Sequence, residues 1–136
     1  CEDIPQVLAE CRRVLKNGGR FLCSTYGKQH MREITDLVQQ FHKEIVLSAE
    51  VLYERFGLEN GENLLAPYFP EIQMRRYEDA IEIAEAEPLI SYILSCHGNQ
   101  NQYLLDKYKD FRGFVSRKTK DGFFITNDAG IFLCEK

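Results

Sequence analysis

An amphipathic helix that stops at a glycine pair and enters an apolar strand with almost no loop is the strongest constraint in this chain. In DIPQVLAECRRVLKNGGRFLCSTY, Asp3 is placed to cap a helix and Pro5 suits its first turn. Val7, Leu8, Cys11, Val14 and Leu15 recur at intervals of three and four and form one apolar stripe. The helix is expected to run to Asn17, with Gly18 in a left-handed stop. The strand Arg20–Tyr26 follows at once. A helix joined so tightly to a strand is the αβ half of a βαβ unit, so an α/β fold is expected.

Gly27 breaks the strand. Met31, Ile34, Leu37, Val38 and Phe41 predict a helix to about Lys43, and Ile45, Leu47, Val51 and Leu52 predict another within residues 44–56. Leu64 and Leu65 suit a short helix before Pro67. Residues 71–83 predict the longest strand, with Ile72, Met74 and Arg76 on one face and a slip of phase over 77–80 that predicts a bulge. Pro88 opens a helix that Gly98 and Asn99 close. Residues 101–118 predict one long helix, packed through Leu104, Tyr108, Phe111 and Val115. A strand over 122–126, a turn at Asn127, Asp128, Ala129 and Gly130, and a last strand over 131–135 complete the pattern. With no repeat or linker, one domain over 1–136 is expected.

A net charge of −4, scattered along the chain, does not form the basic stripe of a nucleic-acid binder. Arg117, Lys118 and Lys120 suit a solvated helix end. Five cysteines without a CxxC pair predict reduced, mostly buried thiols of a cytoplasmic protein. His30, His42 and His97 lack ligand spacing to any cysteine, so no metal is expected. No run reaches the length of a membrane span, and neither an anchor nor a leader is expected.

Four pieces, in order, carry a resemblance. DIPQVLAECRRVLKNGGRFLCSTYG is similar to the fourth helix and fifth strand of class I S-adenosylmethionine-dependent methyltransferases. GKQHM follows directly, LENGENLLAPYFPEIQMRRYEDAIEI resembles the approach to the sixth strand in a bacterial subset of the family, and GFFITNDAGIFLCEK resembles the closing strand. The resemblance implies a partial Rossmann-like methyltransferase sheet with flanking helices. Arg20–Tyr26 and Glu71–Ile83 would be strands five and six, with the last strand, over 131–135, antiparallel and inserted between them. It implies the C-terminal half of a methyltransferase domain, whose N-terminal cofactor-binding half is expected to be absent. The glycine-rich first loop and ribose-binding acid have no counterpart, because Gly18 and Gly19 follow a helix instead of opening one. The expected function is that of a methyltransferase fragment, acting on a small-molecule acceptor and inactive alone. No nucleic-acid or membrane partner is expected.

Ligands of open α/β sheets sit beyond the carboxyl ends of the strands. Ser24, Thr25, Tyr26 and His30 lie at that end of Arg20–Tyr26 and are the expected substrate-side residues. Tyr26 would stack or hydrogen bond, and His30 would orient or deprotonate an acceptor. Equally ordinary roles compete: Ser24 and Thr25 as caps of the next turn, and His30 as a surface helix residue. For Tyr26 the two readings balance; for His30 the surface reading weighs more. The sulfonium donor is already activated, so positioning supplies much of the rate and no catalytic base is required. Cys96 and His97 suit a helix terminus, and Tyr103, Tyr108, Phe111 and Phe114 suit core packing. Two rival readings remain: a non-catalytic α/β interaction module, and a complete small enzyme of another kind. Without a neighbouring strand, Arg20–Tyr26 would be an open edge bearing Phe21, Leu22 and Cys23, so a homodimer or larger assembly is expected.

Overall fold

The computed structural model describes residues 3–48 and 51–136. In chain order its elements are α1 (Ile4–Val14), β1 (Arg20–Tyr26), α2 (Arg32–Phe41), α3 (Leu52–Arg55), α4 (Gly61–Leu65), β2 (Glu71–Ile83), α5 (Ala86–Ser95), α6 (Gln100–Leu104), α7 (Tyr108–Thr119) and β3 (Phe123–Glu135). The fold is mixed α/β, with an open sheet in the order β1–β3–β2. β3 runs antiparallel to β1, from Arg20 opposite Glu135 to Tyr26 opposite Ala129. The last strand therefore lies between the two earlier ones. The chain divides into two compact units: Cys1–His30, Leu52–Glu78 and Asp128–Lys136 in the first, Met31–Val51 and Asp79–Asn127 in the second.

In the first unit α1 begins as expected, with Asp3 Oδ1 accepting from the Gln6 N–H at 2.9 Å and Pro5 in the first turn. It stops at Val14 instead of Asn17. The chain then closes on β3: Gly18, at φ 72°, donates its N–H to Lys136 O, and Lys136 returns its N–H to Gly19 O. Leu8, Leu58, Leu65, Phe69, Phe132 and Cys134 form the core. Phe21 stacks on Phe69 at 5.4 Å, and Phe56 meets Phe132 edge-on at 5.9 Å. α4 starts on a glycine for a steric reason, since a Cβ at Gly61 would lie 2.5 Å from the Phe132 ring. Only Leu8 of the α1 stripe is buried; Val7 is 45% and Val14 66% exposed.

The second unit packs α2, α5, α6 and α7 around Leu37, Val38, Ile90, Ile93, Leu104 and Phe111, all buried. Met31 enters α2 at φ 55°, and the Glu33 carboxylate accepts from both the N–H and the hydroxyl of Thr126 on β3.

Several expectations are corrected. No helix spans 44–56: only Leu52–Arg55 is helical, and residues 49–50 lie outside the described residues. Asn99 takes the Val46 N–H on its side-chain oxygen at 2.7 Å and gives its own N–H to Val46 O at 2.9 Å, which removes the groups a helix would use. The helix expected over 101–118 is two, α6 and α7, because the chain turns after Leu104 so that Leu104 and Phe111 enter one core while Leu105 stays 60% exposed. Tyr108, expected in that core, is 38% exposed. No turn interrupts residues 127–130; β3 is continuous. β2 spans the expected residues and lies at the sheet edge, where Met74, Tyr77 and Ile81 are exposed. Of the described cysteines only Cys134 is fully buried.

The contact at Gly61 supplies a stability test. Gly61→Ala should cost about 1–3 kcal/mol through overpacking. Phe132→Leu should relieve part of that cost in the double variant, so the two effects should fail to add in urea unfolding. Additive effects would show that the ring does not oppose a side chain there.

Candidate functional site

The carboxyl end of β1 meets β3 at Asp128. Gly27 N–H donates to Asp128 O at 3.0 Å, one step beyond Tyr26 and Ala129, so the ladder passes through the residues that read as a turn. Gly130 makes this possible: a Cβ there would sit 2.9 Å from the Arg75 carbonyl and 2.7 Å from Leu58. The strand carries the Asp128 carboxylate into the interior, where the residue is 2% exposed. A buried carboxylate needs a partner. Arg76 of β2 supplies it in fork geometry, Nε to Oδ1 and Nη2 to Oδ2, both at 2.7 Å.

Further groups join this pair. Arg76 Nη2 lies 3.1 Å from Glu59 and Arg76 Nε 3.4 Å from Glu78. Asp128 Oδ2 accepts from the Gln29 N–H at 3.2 Å, and both oxygens of Glu59 accept from the Lys28 N–H, at 3.1 and 3.2 Å. A Cβ at Gly27 would lie 2.1 Å from Asp128 Oδ2, so a side chain there would have to displace the carboxylate. The hydrogen bond from Arg76 holds the Asp128 carboxyl below its ordinary range, and the same bond raises the Arg76 guanidinium. A depressed carboxylate pKa means that the pair's stabilisation is complete above the ordinary carboxylate range and is lost as the pH falls through the lowered value.

The turn so held brings two of the expected residues together. The rings of Tyr26 and His30 stack with centroids 4.1 Å apart and planes 13° from parallel. Tyr26 is 51% exposed and His30 half-buried. His30 is in the turn before α2, not on a helix surface. Burial lowers its pKa and the Asp128 carboxylate opposes that shift, while its Nδ1 has no hydrogen-bond partner among the described residues. The His30 Nδ1 is closed off from solvent, so a small molecule would meet the pair through the exposed Tyr26 ring stacked on it.

Ser24 and Thr25 are not part of this arrangement. Thr25 donates its hydroxyl to Phe56 O at 2.6 Å, which fixes the chain after α3 and does not cap the following turn. Ser24 lines a separate cavity of about 340 Å³ beside β1, walled by apolar residues including Val7, Leu8, Phe21 and Leu52. Burial, reinforced by Cys134 and Cys11, pushes the Cys23 thiol in that wall up to about 11, so it is not a nucleophile at neutral pH.

Arg76, Asp128, Glu59 and Gly27 were not legible as site residues. Asn127, Asp128, Ala129 and Gly130 carry the composition of a turn, and Arg76 sits in a strand whose alternation pointed only to packing. The available signal was local: an Asp that would have to face inward if the last strand were long, and an Arg in the strand that neighbours it.

Gly18 and Gly19 do not fit a cofactor loop. Gly18 N–H and Gly19 O are committed to Lys136, and the pair follows a helix. No group of ligands suited to a metal occurs among the described residues. No helix of the described residues is long and apolar enough to cross a membrane. Neither a protein-family model nor a curated protein matches this sequence.

Proposed function

We propose that this chain is the acceptor-side part of a cytoplasmic, S-adenosylmethionine-dependent methyltransferase of the class I type, which holds a small-molecule acceptor at the carboxyl end of β1 and is inactive without a cofactor-binding half. One observation carries the reading: the last strand is antiparallel to β1 and inserted between β1 and β2, the order the resemblance implies for strands five, seven and six. Exposed apolar groups support it. Leu22 and Tyr26 on the outer face of β1, with Val7 and Val14 on α1, leave surface for further strands and helices of a larger sheet. In this role Tyr26 meets the acceptor and His30 backs its ring; together they bind and orient it. The donor methyl comes from outside these residues.

The same exposed edge favours a second reading, an α/β interaction module that pairs through β1. In the ladder Gly19 and Gly27 bond toward β3, so Arg20, Leu22 and Ser24 turn their backbone groups outward. Leu58 N–H covers the Tyr26 carbonyl at 3.1 Å and closes one end of that edge.

Calorimetry separates the readings. The 136-residue chain should give no heat with S-adenosylmethionine, whereas the product of the whole reading frame should bind it. Micromolar binding by the chain alone would overturn the division of labour, and no binding by the whole product would overturn the methyltransferase reading. In that whole product, Tyr26→Ala should lower turnover by about tenfold or more while leaving cofactor affinity unchanged. Equal loss of both, with a lower Tm, would make Tyr26 a packing residue.

Assembly is tested by light scattering. The isolated chain should form a dimer or larger species through β1, and Leu22→Lys should shift it to monomer by charging the edge. A sharply melting wild-type monomer would remove edge pairing.

A further inference from the structure

Every backbone N–H of the turn from Gly27 to Gln29 is taken by an acceptor from elsewhere in the first unit. Gly27 N–H goes to Asp128 O, Lys28 N–H to both oxygens of Glu59, and Gln29 N–H to Asp128 Oδ2. His30 N–H turns back to Gly27 O at 3.2 Å and completes the turn. Two carboxylates facing adjacent amides repel one another unless a cation joins them. Arg76 is that cation: it meets Asp128 with two nitrogens at 2.7 Å and Glu59 with one at 3.1 Å. Lysine would not replace it in kind, because a single ammonium nitrogen lacks the planar fork that sets Nε and Nη2 against the two oxygens of Asp128.

We propose that Arg76 is the positioning residue of the candidate site. By joining Asp128 to Glu59 it holds the Gly27–His30 turn, and through the turn it holds the Tyr26–His30 stack in the geometry that an acceptor meets. The link to an acceptor rests on the reading of Tyr26 and His30 given above; the holding of the turn does not. Arg76 itself is committed to carboxylates, so its action on the rings is indirect. The stack is consequently set by a strand about fifty residues away in sequence, and its geometry depends on both edges of the sheet keeping their register with β3.

Nuclear magnetic resonance of the 136-residue chain tests the holding directly. In Arg76→Gln, hydrogen-exchange protection of the Lys28 and Gln29 amides should fall about tenfold or more, while Phe21 and Cys23 amides in β1 remain protected. The His30 ring protons should lose the ring-current shift imposed by Tyr26. Arg76→Lys should restore part of one amide's protection and not both. Retained protection of Lys28 and Gln29 in Arg76→Gln would overturn the proposal, as would freed amides with an unchanged stack. Should Arg76→Gln fail to fold, Glu59→Gln at the exposed acceptor should release Lys28 more than Gln29, and equal protection of both would overturn it. The complete enzyme tests the link to an acceptor: Arg76→Gln should lower kcat with cofactor Kd unchanged. If Tyr26→Ala and His30→Ala leave kcat unchanged while Arg76→Gln still frees the turn, the acceptor reading falls and the holding of the turn stands.

Discussion

A carboxylate in the middle of a strand, 2% exposed, is tolerated only with a cation beside it, and the Asp128–Arg76 pair is the interaction on which the first unit is arranged. It joins β2 to β3 through side chains where the sheet already joins them through backbone. It also reaches the turn after β1 through Gln29 and, by way of Glu59, through Lys28. Removing one partner of such a pair costs on the order of 3 kcal/mol when both are buried. Arg76 is about one third exposed, so the figure here is smaller, but the loss would fall on three segments at once.

Each unit encloses a buried core and leaves other large apolar groups exposed, Leu105 and Phe124 in the second among them. The second surrounds its core with four helices, and Leu37, Val38, Ile93 and Phe111 are almost wholly buried. The first keeps a small core around Phe69 and Phe132 yet shows Val7, Val14, Leu22 and Tyr26. Apolar groups left in water on one strand and the helix that precedes it are costly unless something covers them. The proposed methyltransferase half and the proposed edge-paired assembly are two answers to that one cost. They differ in what lies against β1, and they agree that β1 is not finished by the described residues.

The polar cluster and the apolar cavity are chemically distinct neighbours of β1. The cavity has a wall of side chains such as Phe21 and Leu52 and a thiol held neutral by burial. The cluster has fixed charges, a neutral imidazole and an exposed phenol ring. In the proposed reading the site rests on Tyr26 and His30, with Arg76, Asp128 and Glu59 behind them.

Local sequence determined the elements whose pattern is set by neighbours along the chain. Asp3, Pro5 and the apolar stripe specified the start of α1, which ends at Val14 ahead of the expected stop at Gly18; Arg20–Tyr26 and Glu71–Ile83 read as strands to the residue, the first as an apolar run bounded by glycine. The order of the strands followed from the resemblance and not from periodicity. Tertiary structure alone decided the rest. Residues 127–130 carry turn composition, yet Gly130 yields to Leu58 and the Arg75 carbonyl, and Asp128 turns inward to Arg76, so the strand continues. Residues 44–48 carry helical spacing, yet Asn99 takes the backbone groups of Val46. In both places a partner about fifty residues away supplies the hydrogen bonds that local propensity would have supplied. Such a partner cannot be read from the local pattern, because the free energy of the choice is settled only when the distant segment arrives.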